Sequence, residues 1–179
     1  MINSWEIEEL ENPALFHDLA IGYIDGSISL TRDMLANSFE NSFSHSRVIL
    51  SLTNHSAELF LKSAIYGKTS NPKIMGCHDL KKLKNEYDRI YPNTEFELIL
   101  PFGYQYLGYG AKEIEEMVKD EPPQDQTFRY HTDREGKIWK GFKSQDGIIA
   151  FLPQSFLTTI LEFRQRISEL GEILRKDQQ

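Results

Sequence analysis

Cysteine is almost absent from this chain. Cys77 stands alone among 179 residues, which excludes an intrachain disulfide framework and suits a reducing compartment. Long apolar runs are missing as well: none approaches the ~18 residues needed to span a bilayer. The opening MINSWEIEELENP is acidic where a secretory signal is basic and then apolar, so a cytoplasmic protein with no membrane partner is expected. Positive charge is in deficit, with 20 Lys and Arg against 27 Asp and Glu for a net −7. Phosphate coating depends on clustered cations that release counterions, so no DNA duplex is expected as a partner. There is no P-loop, no dinucleotide-type glycine fingerprint after a strand and no G-x-S-x-G elbow. ATP hydrolysis, redox chemistry and esterase activity therefore lose their usual sequence support. His45, His55, Cys77 and His78 lack the paired spacings of zinc ligands, and neither a metal nor a cofactor is expected.

What remains is an ordinary globular composition, 40% hydrophobic and 26% charged, of a length that fits one domain over residues 1–179. Helical periodicity dominates it. A first helix follows Asn12-Pro13 and runs towards Asn37, with Leu15, Leu19, Tyr23, Leu30 and Met34 as its apolar stripe and Gly22 and Gly26 weakening the middle. Residues 38–46 have turn composition. A central helix over 47–66 ends near Gly67, residues 68–76 read as a loop, and Asp79 is placed to cap a third helix over 80–90 that stops before Pro92. Further on come a short apolar run at 95–100, a short amphipathic helix at 111–119 and a proline-paired loop at 120–127. Phe102, Tyr104, Tyr106 and Tyr109 crowd around glycines and read as core, with stacking on bases as the alternative. Segments 128–131, 137–142 and 147–151, separated by turn signals, predict a small β-hairpin or meander. The last helix starts at Pro153 and carries Phe156, Ile160, Phe163, Ile167, Leu170 and Leu174 to near Lys176. The expected fold is mainly α: an up-and-down helical bundle with a β-hairpin or meander inserted before its last helix.

The central helix holds the candidate site. At about 100° per residue, Arg47, Ser51, Asn54, Glu58 and Lys62 share one polar stripe while aliphatic side chains cover most of the remaining circumference. Polar groups on a mostly buried helix need partners, so this seam is either a structural network or a ligand site. Glu58 and Lys62 are spaced i,i+4 in the favourable orientation. Glu58 is also positioned to hold Lys62 or the backbone of the His78-Asp79 turn, a structural role favoured over catalysis. His78 reads as a capping or loop-anchoring residue, with acid or base chemistry as the alternative, since its pKa lies near neutrality. Arg129 and Tyr130 either tie the meander to Glu58 or contact phosphate. Residues 78–84 (HDLKKLK), with Arg89 beyond them, are a solvated helix face or a local basic patch.

Ser56-Ala57-Glu58-Leu59-Phe60-Leu61-Lys62, then His78-Asp79-Leu80-Lys81-Lys82-Leu83, then Arg129-Tyr130 together resemble a HEPN domain, the helical "higher eukaryotes and prokaryotes nucleotide-binding" fold. Many bacterial members of that family share an A-x-E-x-x-L-K-like central helix, a G-H-D-L loop and a later R-Y. It implies a four- or five-helix bundle, frequently a homodimer. The superfamily includes ribonucleases of toxin, phage-defence and CRISPR systems and also non-catalytic binders of RNA or nucleotides. Its catalytic members carry Arg followed after four to six residues by His, and this chain departs from that pattern. Seven residues separate Arg47 from His55, Val48 follows Arg47, and one residue separates Arg129 from His131. The resemblance thus implies a non-catalytic module that binds RNA, a nucleotide or a protein partner, possibly within a toxin–antitoxin or defence system, through Arg47, Asn54, Glu58, Lys62, His78, Asp79, Arg129 and Tyr130. The alternative is a metal-independent ribonuclease that uses His55 or His78 as acid or base and Arg47 or Arg129 against the phosphate.

Overall fold

The computed structural model describes residues 12–36, 43–101 and 151–176. They form four helices, α1 (Asn12–Leu35), α2 (Phe43–Thr69), α3 (Leu80–Ile90) and α4 (Pro153–Lys176), and two 3-10 turns at Pro72–Gly76 and Thr94–Phe96. Among the described residues the architecture is therefore helical, with no strand. The expected helix at 111–119, the hairpin or meander at 128–151 apart from its last residue, Phe151, and the aromatic group at 102–109 lie outside the described residues.

Helix α2 is longer than its periodicity predicts. It begins at Phe43 rather than Arg47, because the hydroxyl-rich residues 43–46 sit in the first turn, where backbone N–H groups lack intrahelical partners and polar side chains are tolerated. It also passes through Gly67 to Thr69, whose Oγ1 donates to Ile65 O at 2.8 Å. Ser70 closes the helix with φ 51°, the left-handed conformation that glycine usually supplies at this position.

Three hydroxyls fix how α1 and α2 pair. Ser63 Oγ donates to Pro13 O at 2.6 Å, Ser56 Oγ to Ala20 O at 2.7 Å and Ser27 Oγ to Ile49 O at 3.1 Å. Residues 13, 20 and 27 of one helix meet 63, 56 and 49 of the other, so the pair is antiparallel and the stitch repeats every seven residues. Burial follows the same rhythm. His17, Ala20, Ile24, Ser27, Thr31 and Met34 are buried on α1, and Ser46, Ile49, Thr53, Ser56, Phe60 and Ser63 on α2, alternating steps of three and four as in a heptad seam. The apolar stripe expected on α1 is rotated away from this seam. Leu19 is 42% exposed, Leu15, Tyr23 and Leu30 are half-buried, and only Met34 is fully enclosed. The seam accepts Ser and Thr because each hydroxyl finds a carbonyl and loses little on leaving water.

Helix α4 runs antiparallel to α1, with Arg164 Nε donating to Asp25 at 3.1 Å and His17 Nε2 donating to Ile167 O at 3.1 Å. It buries Ile160, Phe163, Ile167, Leu170 and Leu174, the stripe its periodicity predicts except for Phe156, which is half-buried. On the other flank of α2, α3 buries Leu80, Leu83 and Tyr87. Tyr87 donates to Phe96 O at 2.8 Å and Tyr91 to Ala64 O at 3.0 Å. Burial pushes the Tyr87 phenol well above its usual range. Arg166 holds the 3-10 turn that follows by donating to Glu95 O and Glu97 O. Helix α2 is thus the central element, with α1 on one side and α3 on the other.

Candidate functional site

The polar seam of α2 sinks into the protein along its length. Arg47 and Ser51 are half-buried, whereas Asn54 and Glu58 are each 1% exposed and Lys62 4%. A carboxylate and an ammonium so enclosed need mutual compensation and further hydrogen bonds, since desolvating either alone costs several kcal/mol. Both are supplied. Lys62 Nζ donates to Glu58 Oε1 at 2.8 Å and to Met75 O at 2.8 Å, and His78 Nδ1 lies 3.0 Å from the same Oε1.

The chain after α2 turns back along it. Met75 meets Lys62, and His78 meets Glu58 four residues earlier in the helix. Local caps set this path: Asn71 accepts from Lys73 N, which opens the 3-10 turn, and Asp79 accepts from Lys82 N at 3.1 Å, which opens α3. The segment from Gly76 to Leu80 is therefore held by charged contacts to α2 and by capping of its own successor helix.

Chemically, Glu58 fixes His78. A carboxylate can only accept, so His78 donates from Nδ1 and its Nε2 becomes the accepting nitrogen of the neutral ring. The His78 side chain is 55% exposed, so this oriented ring sits at the surface above a buried anion. Orientation by a carboxylate is one part of a general-base arrangement. Here the carboxylate also pairs with Lys62, and the whole set anchors a loop.

The other sequence candidates are dispersed. Arg47 lies eleven residues before Glu58 on the same helix, about 16 Å along the axis, and eight before His55, about 12 Å. Partial burial pulls the Arg47 guanidinium below its ordinary value and leaves it cationic. The His55 ring meets Tyr23 edge to face, with centroids 4.4 Å apart. Asn54 Oδ1 is buried and finds no hydrogen-bond partner among the described residues. The structure therefore brings together Glu58, Lys62 and His78, with Asn54 one turn away and the Asp79 side chain turned to the start of α3, and does not gather Arg47, His55 and His78 into one constellation. Arg129, Tyr130 and His131 lie outside the described residues. Met75, whose carbonyl takes the Lys62 ammonium, was not signalled by its side-chain type, because the contact is made by backbone.

No group of three or more potential metal ligands forms among the described residues. Cys77 is half-buried with its thiol turned to Asp79 O at 3.9 Å. No described helix is long and apolar enough to cross a membrane. No protein-family model, curated protein or solved structure matches the chain.

Proposed function

We propose that this chain is a non-catalytic HEPN-like module of the cytoplasm that binds RNA. The observation that carries the reading is the meeting of Glu58 and Lys62 of α2 with His78 and the Met75 carbonyl at 2.8 to 3.0 Å. Two of the three stretches that resemble the family, fifteen residues apart in sequence, supply one network. In it the ionisable groups satisfy one another and fix a loop, which is the work of a scaffold. The distance along α2 from Arg47 to His55, and to Glu58 where His78 docks, supports binding over cleavage, because stabilising a phosphorane and moving its protons requires Arg and His within reach of one phosphate.

One observation favours the second reading, a metal-independent ribonuclease. His78 is exposed, and its Nδ1 is tethered to a buried carboxylate. Incubating the purified protein with a mixed RNA pool in chelator separates the two. The binding module leaves the RNA intact at high protein concentration while retaining it in a gel shift. Cleavage that disappears in His78→Ala and Arg47→Ala variants with wild-type circular dichroism would replace the proposal with the nuclease. Intact RNA with no retention would leave neither standing.

A further inference from the structure

The charge of this acidic chain is unevenly placed. Between Gly67 and Ile90 six basic side chains (Lys68, Lys73, Lys81, Lys82, Lys84, Arg89) face three acidic ones (Asp79, Glu86, Asp88), a surplus of +3 that leaves −10 on the rest of a −7 chain. The three acidic groups are already engaged. Lys84 pairs with Asp88 at 2.6 Å, Arg89 with Glu86 at 2.6 Å and Lys82 with Asp79 at 3.4 Å. Lys68, Lys73 and Lys81 are exposed and have no carboxylate partner among the described residues. They are also not a loose tail. Lys73 sits in a capped 3-10 turn and Lys81 in the capped first turn of α3. The loop between them is pinned to α2 through Met75 and His78.

We propose that this face, formed by Lys68, Lys73, His78, Lys81 and Lys82, docks the phosphodiester backbone of single-stranded RNA. The inference rests on the RNA-binding reading above and places the contact on the outer side of the loop that the Glu58 network holds. Ammonium groups on a pre-ordered loop lose little entropy on meeting phosphates and release counterions in doing so. Residues 67–86 contain no Phe, Tyr or Trp, so this face has no ring on which bases stack. Binding is therefore blind to base identity and steeply dependent on salt.

The test is fluorescence anisotropy of labelled oligouridylate and oligoadenylate across a sodium chloride series. Wild type is compared with Lys73→Glu, Lys81→Glu and Arg32→Glu, which all change net charge equally. Arg32 is exposed near the far end of α1. In the α1–α2 register it lies beside residue 44, about 20 Å along the axis from Glu58 and beyond a Debye length of about 8 Å. Wild type is expected to bind both oligomers with similar affinity. Lys73→Glu and Lys81→Glu each weaken binding about tenfold at low salt and flatten the log–log salt slope by about 0.7, the signature of one lost single-strand phosphate contact. Arg32→Glu leaves the slope unchanged. If Arg32→Glu weakens binding as much as the loop variants, the docking face is wrong while the RNA module stands. If wild type binds neither oligomer at low salt, the RNA reading itself fails. Failure on RNA with capture on phosphatidylserine vesicles, lost in Lys73→Glu, would reassign the face to a membrane surface.

Discussion

Helix α2 is held differently on its two flanks. Towards α1 the polar contacts are neutral: serine hydroxyls donate to carbonyls of the facing helix every seven residues. Towards the loop before α3 they are ionic, with Glu58, Lys62 and His78 sharing a single carboxylate oxygen beneath the surface. Ser56 and Ser63 each meet one carbonyl that keeps a helical hydrogen bond of its own, so losing either hydroxyl removes one modest interaction, while Ser27 also meets Thr53 Oγ1 at 2.7 Å. Glu58 and Lys62 depend on each other, because whichever is left behind faces a dry interior. The first arrangement sets register; the second makes one loop conformation far more favourable than its alternatives.

The sharpest way to break the contrast is at Glu58. Glu58→Ala leaves the Lys62 ammonium buried with only Met75 O, and is expected to cost about 3 to 5 kcal/mol, a large part of the stability of a domain. Replacing both partners, Glu58→Met with Lys62→Met, removes the stranded charge and is expected to cost less than Glu58→Ala alone. Urea unfolding followed by circular dichroism reads both. A single-variant loss below about 1 kcal/mol would mean that the ionic flank is no more demanding than the neutral one.

The α1–α4 contact offers an intermediate case, a buried imidazole that donates to a backbone carbonyl. Gly171 packs against the His17 imidazole so closely that an added Cβ runs into Nε2. Gly171→Ala therefore pushes the ring off Ile167 O and is expected to cost about 2 to 3 kcal/mol through overpacking and a lost buried hydrogen bond. His17→Ala in the same chain makes room for the new methyl. The double variant is expected to lose less than the sum of the two singles, and a loss equal to that sum would show that the ring is not what the methyl meets.

A smaller effect belongs to the α3 flank. Tyr87→Phe strands Phe96 O and is expected to cost about 1 kcal/mol near neutral pH. It also changes the alkaline limb. Because the buried phenol is raised above its ordinary value of 10.0, the unfolded chain deprotonates first. The contribution of Tyr87 is present below about pH 10 and is lost as pH rises beyond it. Unfolding free energies measured between about pH 8 and about pH 11 should fall less steeply in Tyr87→Phe than in wild type.

Sequence reading succeeded where the signal was local and failed where it depended on a facing helix. The Asp79 cap, the 80–90 bounds of α3 and the apolar stripe of α4 all follow from residues within a few positions of each other, and the structure has them in place. The buried face of α1 was not legible. Ser27 and Thr31 count as polar in any hydropathy pattern, and only the carbonyls and hydroxyls that meet them make the core position tolerable. At the site, the i,i+4 spacing of Glu58 and Lys62 was visible, and so was a link to the His78-Asp79 turn. The division of labour was not: Lys62, rather than Glu58, takes the loop backbone, because only an ammonium can donate to the Met75 carbonyl, and Glu58 takes the imidazole instead. Arg129 and Tyr130, with the segment expected to form the hairpin or meander, fall outside the described residues.

The smallest expected effects lie in the hydroxyl stitch, and their additivity is what sharpens the comparison. Ser56→Ala and Ser63→Ala each remove one donor from a carbonyl at the α1–α2 seam, and each is expected to cost about 0.5 to 1 kcal/mol. The two sites are seven residues apart, about 10 Å along α2, which is the separation at which independent contacts add. The double variant should therefore fall within about 0.5 kcal/mol of the summed singles, opposite to the strong coupling expected between Glu58 and Lys62. If the serines couple as strongly as the charges, the seam is a cooperative network in its own right, and the distinction between a register-setting flank and a loop-specifying flank is lost.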